Sequence, residues 1–225
     1  MRIRPAAERL HSQLNWLNSW HSFSFGQHYD PAWMGSGALR VINDDVIAPG
    51  TGFGTHGHND MEIITVVLSG TLSHQDSAGN EGTITPGRVQ RMSAGSGIRH
   101  SEYNHSPDEP VHLLQIWIEP HSQGLAPGYQ EADVPAQAGK VVLAGKGGLL
   151  SINQDAELAQ FQLVAGESVT FSAASKRVRY LHIIEGSLDS AAGAFGPGDG
   201  VELSAGEQLQ LTSRGSRFLA FDVPA

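Results

Sequence analysis

In GTGFGTHGHNDMEIITVVLSG (Gly50–Gly70) a glycine-rich approach leads to His56 and His58, then Glu62, then the β-branched run Ile63–Val67. Along an extended chain residues two apart share a face, so His56, His58 and Glu62 have the same parity. GIRHSEYN (97–104) supplies a second two-apart pair, His100 and Glu102. A lone His-x-His is more often a pair of half-exposed strand residues than a ligand pair. Two such pairs on strand-forming sequence point instead to three imidazoles and one or two carboxylates converging inside a small barrel. That set suits a divalent transition metal and leaves coordination positions open for substrate or O2. There is no Cys in the chain, so any metal must rest on His, carboxylate and water.

Outward from this stretch the pattern is short strands punctuated by Gly, Pro and Asn. ALRVINDDVI precedes it; TLSHQDSAGNEGTITPG follows as two alternating strands around a DSAGN hairpin, then RVQRMSAG and PVHLLQIWIEP. Helical periodicity is scarce, and 27 Gly in 225 residues fit a turn-rich β protein. A net charge of -9 with no Lys/Arg run argues against direct nucleic-acid binding. No apolar run approaches membrane-spanning length and MRIRPAAERLHSQ has no signal core, so a soluble cytoplasmic protein is expected. The remaining histidines receive structural readings. His74 and His105 stand in turn-like sequence, His121 in a linker, and His11, His21 and His28 near the N-terminus. His112 and His182 lie on strands without a partner two residues away.

An internal repeat organises the second half. VVLSGTL (66–72) corresponds to HIIEGSL (182–188), and PGRVQRMSAG (86–95) to PGDGVELSAG (197–206). Between the copies, residues 121–140 turn polar and rich in Gly and Pro. A division into 1–125 and 126–225 is expected there. Counted from Gly70 and Gly186, the positions of His56 and His58 fall on Ser172 and Ala174. Counted from Gly95 and Gly206, those of His100 and Glu102 fall on Leu211 and Ser213. The second copy should therefore bind no metal, and one ion per chain is expected.

The spacing of Gly50, His56, His58, Glu62 and Gly70 resembles the first cupin motif. Gly97, His100 and Asn104 keep part of the second, with Gly95 where many cupins have Pro. SWHSFSFGQHYDP, RVINDD, GFGTHGHNDMEI, HQDSAGN, QRMSAGSGIRHSEYN and HLLQIW are similar to the pirin family of bicupins, densely from about residue 15 to 118. The resemblance implies an all-β fold of two tandem cupin (double-stranded β-helix, or jelly-roll) barrels. It implies one metal in the N-terminal barrel, iron foremost with Mn, Ni, Co, Cu or Zn as alternatives, on His56, His58, His100 and Glu102. Glu62, the carboxylate of cupins in general, becomes a supporting residue. Bacterial pirins resemble quercetin 2,3-dioxygenases, which implies a monomer opening a flavonol-like substrate with O2 and releasing CO, with Glu102 or Glu62 as base. Two alternatives stand beside it: a regulatory binding protein whose metal redox state gates a protein partner, and another cupin enzyme with a different small substrate.

Overall fold

The computed structural model describes all residues, Met1–Ala225. The N-terminal strands are β1 (Arg2–Arg4), β2 (Leu10–Gln13), β3 (Leu17–His21), β4 (Leu39–Ile47), β5 (Thr51–His58) and β6 (Glu62–Ser69). They continue as β7 (Leu72–Asp76), β8 (Glu81–Ile84), β9 (Arg88–Ser93), β10 (Ile98–Asn104), β11 (Val111–Ile118) and β12 (Gly128–Asp133). The second half holds β13 (Gly139–Gly145), β14 (Glu157–Leu163), β15 (Ser168–Ser172), β16 (Arg177–Ser190), β17 (Gly193–Phe195), β18 (Gly200–Leu203) and β19 (Gln208–Pro224). A single 3-10 turn at Ala6–Glu8 is the one helical element. The β-branched, glycine-punctuated sequence thus forms the all-β fold expected of it.

In the first half a seven-stranded sheet, β12-β9-β6-β11-β4-β3-β2, faces a four-stranded sheet, β5-β10-β7-β8. Residues of both line one cavity, which makes this half a barrel with an occupiable interior. The second half forms one eight-stranded sheet in which β16 and β19, 14 and 17 residues long, each run through both faces of a second barrel. Bulges at Ile183/Glu185 and Gly186/Leu188 bend β16 as it passes between them.

Two segments pair across the expected division at residue 125. β12 joins β9 of the first sheet, and β1 joins β18 of the second. A core of 22 buried residues also spans both halves, bringing Phe23, Leu39, Ile64 and Ile116 together with Tyr180, Leu219 and Phe221. Hydrophobic burial across the junction is therefore continuous with burial inside the first barrel.

The repeat is visible in the turns. Gly70 has φ 77° and Gly186 φ 70°, and a Cβ on either would run into the backbone of the neighbouring strand. At Gly70 that backbone is Pro110–Val111, and at Gly186 it is Gly215–Ser216. The two glycines do one job, and no L side chain tolerates both constraints.

Pairing corrects one register. Ile98 and His100 of β10 lie opposite His58 and His56, while Leu209 and Leu211 of β19 lie opposite Phe171 and Val169. The counterparts of His56 and His58 are Val169 and Phe171, not Ser172 and Ala174. Three more residues separate Phe171 from Gly186 than separate His58 from Gly70, which counting from the glycine could not reveal. Leu211 and Ser213 match the buried alternation of His100 and Glu102. Phe161, Phe171, Leu209, Leu211 and Phe218 belong to a 15-residue apolar core that fills the second barrel.

Candidate metal centre

β5 and β10 bring the two histidine pairs together. His56 and His100 are directly opposed across the ladder, but two residues further along β10 Glu102 meets Phe53, so β5 carries one extra residue. This bulge at Gly54–Thr55 re-aims the end of β5, and His56 Nδ1 bonds the Gly54 carbonyl at 2.8 Å. Fixing the proton on Nδ1 leaves Nε2 as the free lone pair. His56 Nε2 lies 3.0 Å from His100 Nε2. One ring nitrogen from each of His56, His58 and His100 falls within 4.8 Å of the others. Three lone pairs so close have no protein donor to satisfy all of them, whereas one cation can. The donor set fits a borderline divalent metal.

Burial keeps the His58 and His100 imidazoles neutral, with their lone pairs free to ligate. Burial pushes the His58 pKa down to about 4, with the neighbouring His56 adding to it. Burial does the same to His100, helped by His56, His58 and His74, and takes it down to about 2. Removing imidazolium from water costs free energy, and the neighbouring imidazoles add to that cost at His58 and His100.

Glu102 lines the same cavity as His56 and His58 and is fully buried. Gln115 of β11 donates from Nε2 to both Glu102 carboxylate oxygens at 2.9 and 2.8 Å, and Thr65 of β6 donates to Gln115 Oε1 at 3.0 Å. Burial raises the Glu102 carboxyl, while the Gln115 bonds and His56 oppose the rise. Glu62 goes elsewhere. It accepts from Ser93 Oγ at 2.8 Å and from Asn153 Nδ2 at 2.9 Å, with Arg91 Nε 4.0 Å away. Asn153 lies in the second half, so Glu62 ties the two halves together and does not line the cavity. Its parity matched that of the histidines, but β6 sits in the opposite sheet from β5.

The cavity measures about 300 Å3 and is walled by Leu14, Leu17, Phe25, Phe53 and Trp117. Trp117 meets the His58 ring edge to face at 4.9 Å. Opposite the imidazoles are Ser19, His21, Asn43 and Asp45 of β3 and β4. His21 is buried, not a loose N-terminal residue, and its Nδ1 is 2.7 Å from Asn43 Oδ1. Burial pushes Asp45 up to about 7, with the Glu102 and Asp44 charges adding to the rise and Ser19 opposing it; its Oδ1 has no hydrogen-bond partner. Sequence reading missed both, although Asn43 and Asp45 keep a two-residue spacing within RVINDD. It also placed His74 in a turn. His74 is fully buried on β7, directly opposite Glu102, and could share an ion with His100 and Glu102. His105 and His121 are exposed, as expected of residues outside the site.

Fold and site together define a bicupin with a nitrogen-and-oxygen centre in its first barrel. Residues 3–118 match the Pirin family and residues 142–223 the quercetinase C-terminal cupin domain. The chain belongs to the pirin family. It is 43% identical over 226 residues to a quercetin 2,3-dioxygenase of Escherichia coli K12, covering 99% of this chain and 98% of that protein. A pirin-like protein of Caulobacter vibrioides is 49% identical over 173 residues, 74% of either chain. The crystal structure of the Escherichia coli bacterial pirin YhhW in complex with nickel(II) superposes with a TM-score of 0.94 at 42% identity, covering 99% of this chain and 98% of that one.

Proposed function

We propose that this chain is a metal-dependent dioxygenase of the quercetin 2,3-dioxygenase type. In this reading His56, His58, His100 and Glu102 hold one divalent transition metal, iron(II) foremost, in the first of two cupin units. The observation that carries the reading is the cavity itself: His56, His58 and Glu102 open onto one small space walled by Phe25, Phe53 and Trp117. Such a space suits a planar aromatic substrate with few polar groups to orient it. Relatedness over the whole length to a protein named for this reaction supports the same assignment.

When bound, the metal supplies Lewis-acid polarisation of a substrate oxygen and access to O2. The chain's own residues do the rest. Phe25, Phe53 and Trp117 present ring faces and edges to the substrate and exclude water. Glu102, held by Gln115, accepts the proton of the flavonol 3-hydroxyl and leaves the flavonolate. Asp45 and Asn43 offer polar contacts to further hydroxyls on the opposite wall. In the overall reaction one flavonol and one O2 give the ring-opened ester and carbon monoxide. Glu62 is not the base in this reading, because Ser93 and Asn153 occupy it. A monomer in the cytoplasm completes the picture; no helix is long and apolar enough to cross a membrane.

The test is loss of the quercetin flavonol band, with matched O2 uptake and CO release, for metal-loaded protein, apo protein and His58→Ala. Turnover is expected in the loaded wild type alone. Turnover that persists in His58→Ala would assign the chemistry to free metal. Metal binding at one equivalent without flavonol turnover under Fe, Mn, Ni, Co or Cu would favour the regulatory reading.

A further inference from the structure

His100 is held from two sides. Its Nε2 faces His56 Nε2 at 3.0 Å, and its Nδ1 faces His74 Nδ1 at 3.5 Å. Behind His74 stands Asp76, whose Oδ2 is 3.6 Å from His74 Nε2, with both side chains fully buried. The hairpin turn fixes Asp76: its Oδ1 accepts the backbone N–H groups of Ala78 and Asn80 at 2.9 and 3.0 Å. Asn80 Nδ2 donates to Oδ2 at 2.9 Å, so this oxygen is anchored and still turned toward His74. Tyr129 of β12 stacks on the His74 ring at 4.9 Å, and Gly82 makes room for it, since a Cβ there would strike the Tyr129 hydroxyl. Four elements thus hold one imidazole against the back of another.

Proton placement along this row has one consistent solution. An imidazole that binds a metal through Nε2 carries its proton on Nδ1 and must donate there. His74 Nδ1 is the acceptor in reach, which puts the His74 proton on Nε2, pointing at Asp76. In the structure His74 Nε2 is buried without a hydrogen-bond partner. This tautomer turns the Nε2 proton toward the Asp76 carboxylate, 3.6 Å away, the placement that best suits a buried N–H.

We infer that Asp76 and His74 form a relay that orients and polarises His100 from outside the ligand set. Both are positioning residues, since neither faces the substrate cavity. The relay makes His100 a stronger electron donor to a bound ion, so it raises affinity and favours the higher oxidation state. The inference rests on His100 being a metal ligand, as proposed above. His74 is also placed to ligate an ion together with His100 and Glu102. A single terminal imidazole gives one nitrogen to one ion, so His100 cannot serve both groups through Nε2.

The experiment titrates the apo protein with Co(II), following affinity and ligand-field bands, in wild type, His74→Leu, His74→Asn, Asp76→Asn, His56→Ala and His100→Ala. His74→Leu should weaken Co(II) binding about 10- to 100-fold and shift the bands, the usual cost of losing an outer-shell partner. His74→Asn places an amide oxygen near the lost Nδ1 and should restore most of both. Asp76→Asn should shift the bands in the same direction with a smaller loss. Wild-type affinity and spectrum in a folded His74→Leu protein would overturn the relay; if that variant does not fold, an unchanged Asp76→Asn would overturn it. Loss of binding in His74→Leu with retention in His56→Ala would place the ion on His74 and overturn it equally. Unaltered binding in His100→Ala is a different failure, that of the metal-site reading itself.

Discussion

Two glutamates with similar credentials have different fates, and the difference is measurable. Glu102→Gln should lose most of the bound metal, because it removes a carboxylate from the imidazole cavity. Glu62→Gln should keep the metal yet lose about 1–3 kcal/mol of stability, since it disturbs buried bonds to Ser93 and Asn153. Metal analysis of the purified variants with denaturant melts separates the two outcomes; metal loss in Glu62→Gln and retention in Glu102→Gln would reverse the assignment. The imidazoles carry a second prediction. A three-histidine site built from ordinary residues would release its ion as pH falls through about 6.5. Burial holds His58 near 4 and His100 lower, so protons compete later. Release at limiting metal should centre about 1–2 pH units below 6.5. Half-release at or above pH 6.5 would show that burial does not protect the ligands. Asp45 slopes the other way. Its folded pKa of about 7 exceeds the unfolded carboxylate value, so its contribution is full at low pH and is lost as pH rises from about 4 to 7. Asp45→Asn should therefore raise the apo-protein Tm more at pH 8 than at pH 5. An equal gain at both pH values would mean Asp45 stays ionised throughout.

At the scale of elements, equivalent turns close the two copies of the module. Gly70→Ala and Gly186→Ala each put a side chain at positive φ against the backbone of the neighbouring strand. Both should destabilise, by more than the roughly 1 kcal/mol of an ordinary helix or strand Gly/Ala exchange. Gly50→Ala is the control: its φ is 65°, but nothing lies near a Cβ there, so conformational strain acts alone. A loss at Gly50 as large as at Gly186 would show that φ, not the strand contact, sets the cost. The second strand-level feature is the bulge on β5. It lets His56 turn its Nε2 toward His100 while the ladder continues to Phe53 and Glu102, so the approach of the two imidazoles depends on a single extra residue.

For the whole molecule, the shared core and the exchanged strands make the halves interdependent. A fragment ending at residue 125 lacks β12, the Glu62–Asn153 bond and the second-half side of the 22-residue core. It should be unfolded or aggregated, as judged by circular dichroism and sedimentation; a folded, metal-binding fragment 1–125 would show that the first barrel is autonomous. The intact chain should bind one equivalent of metal, since Val169, Phe171, Leu211 and Ser213 stand where the first barrel has three imidazoles and a carboxylate. Two equivalents of similar affinity would contradict that register.

The sequence by itself determined what is local. Strand character follows from β-branched alternation, and the two histidine pairs from a two-residue period that any extended chain obeys. The expectation that the second copy binds no metal followed from residue types, even though two of the four positions were miscounted. Tertiary structure decided what depends on which strands become neighbours. Parity says that Glu62 and His58 share a side only if they lie on one uninterrupted strand, and the turn at 59–61 sends β6 to the other sheet. His74 looked like a turn residue because Asp76, Asn80 and the glycines dominate its surroundings. Only the pairing of β7 with β10 turns it toward His100. Contacts between residues far apart in the chain arise from long-range pairing and burial, and those are properties of the folded whole.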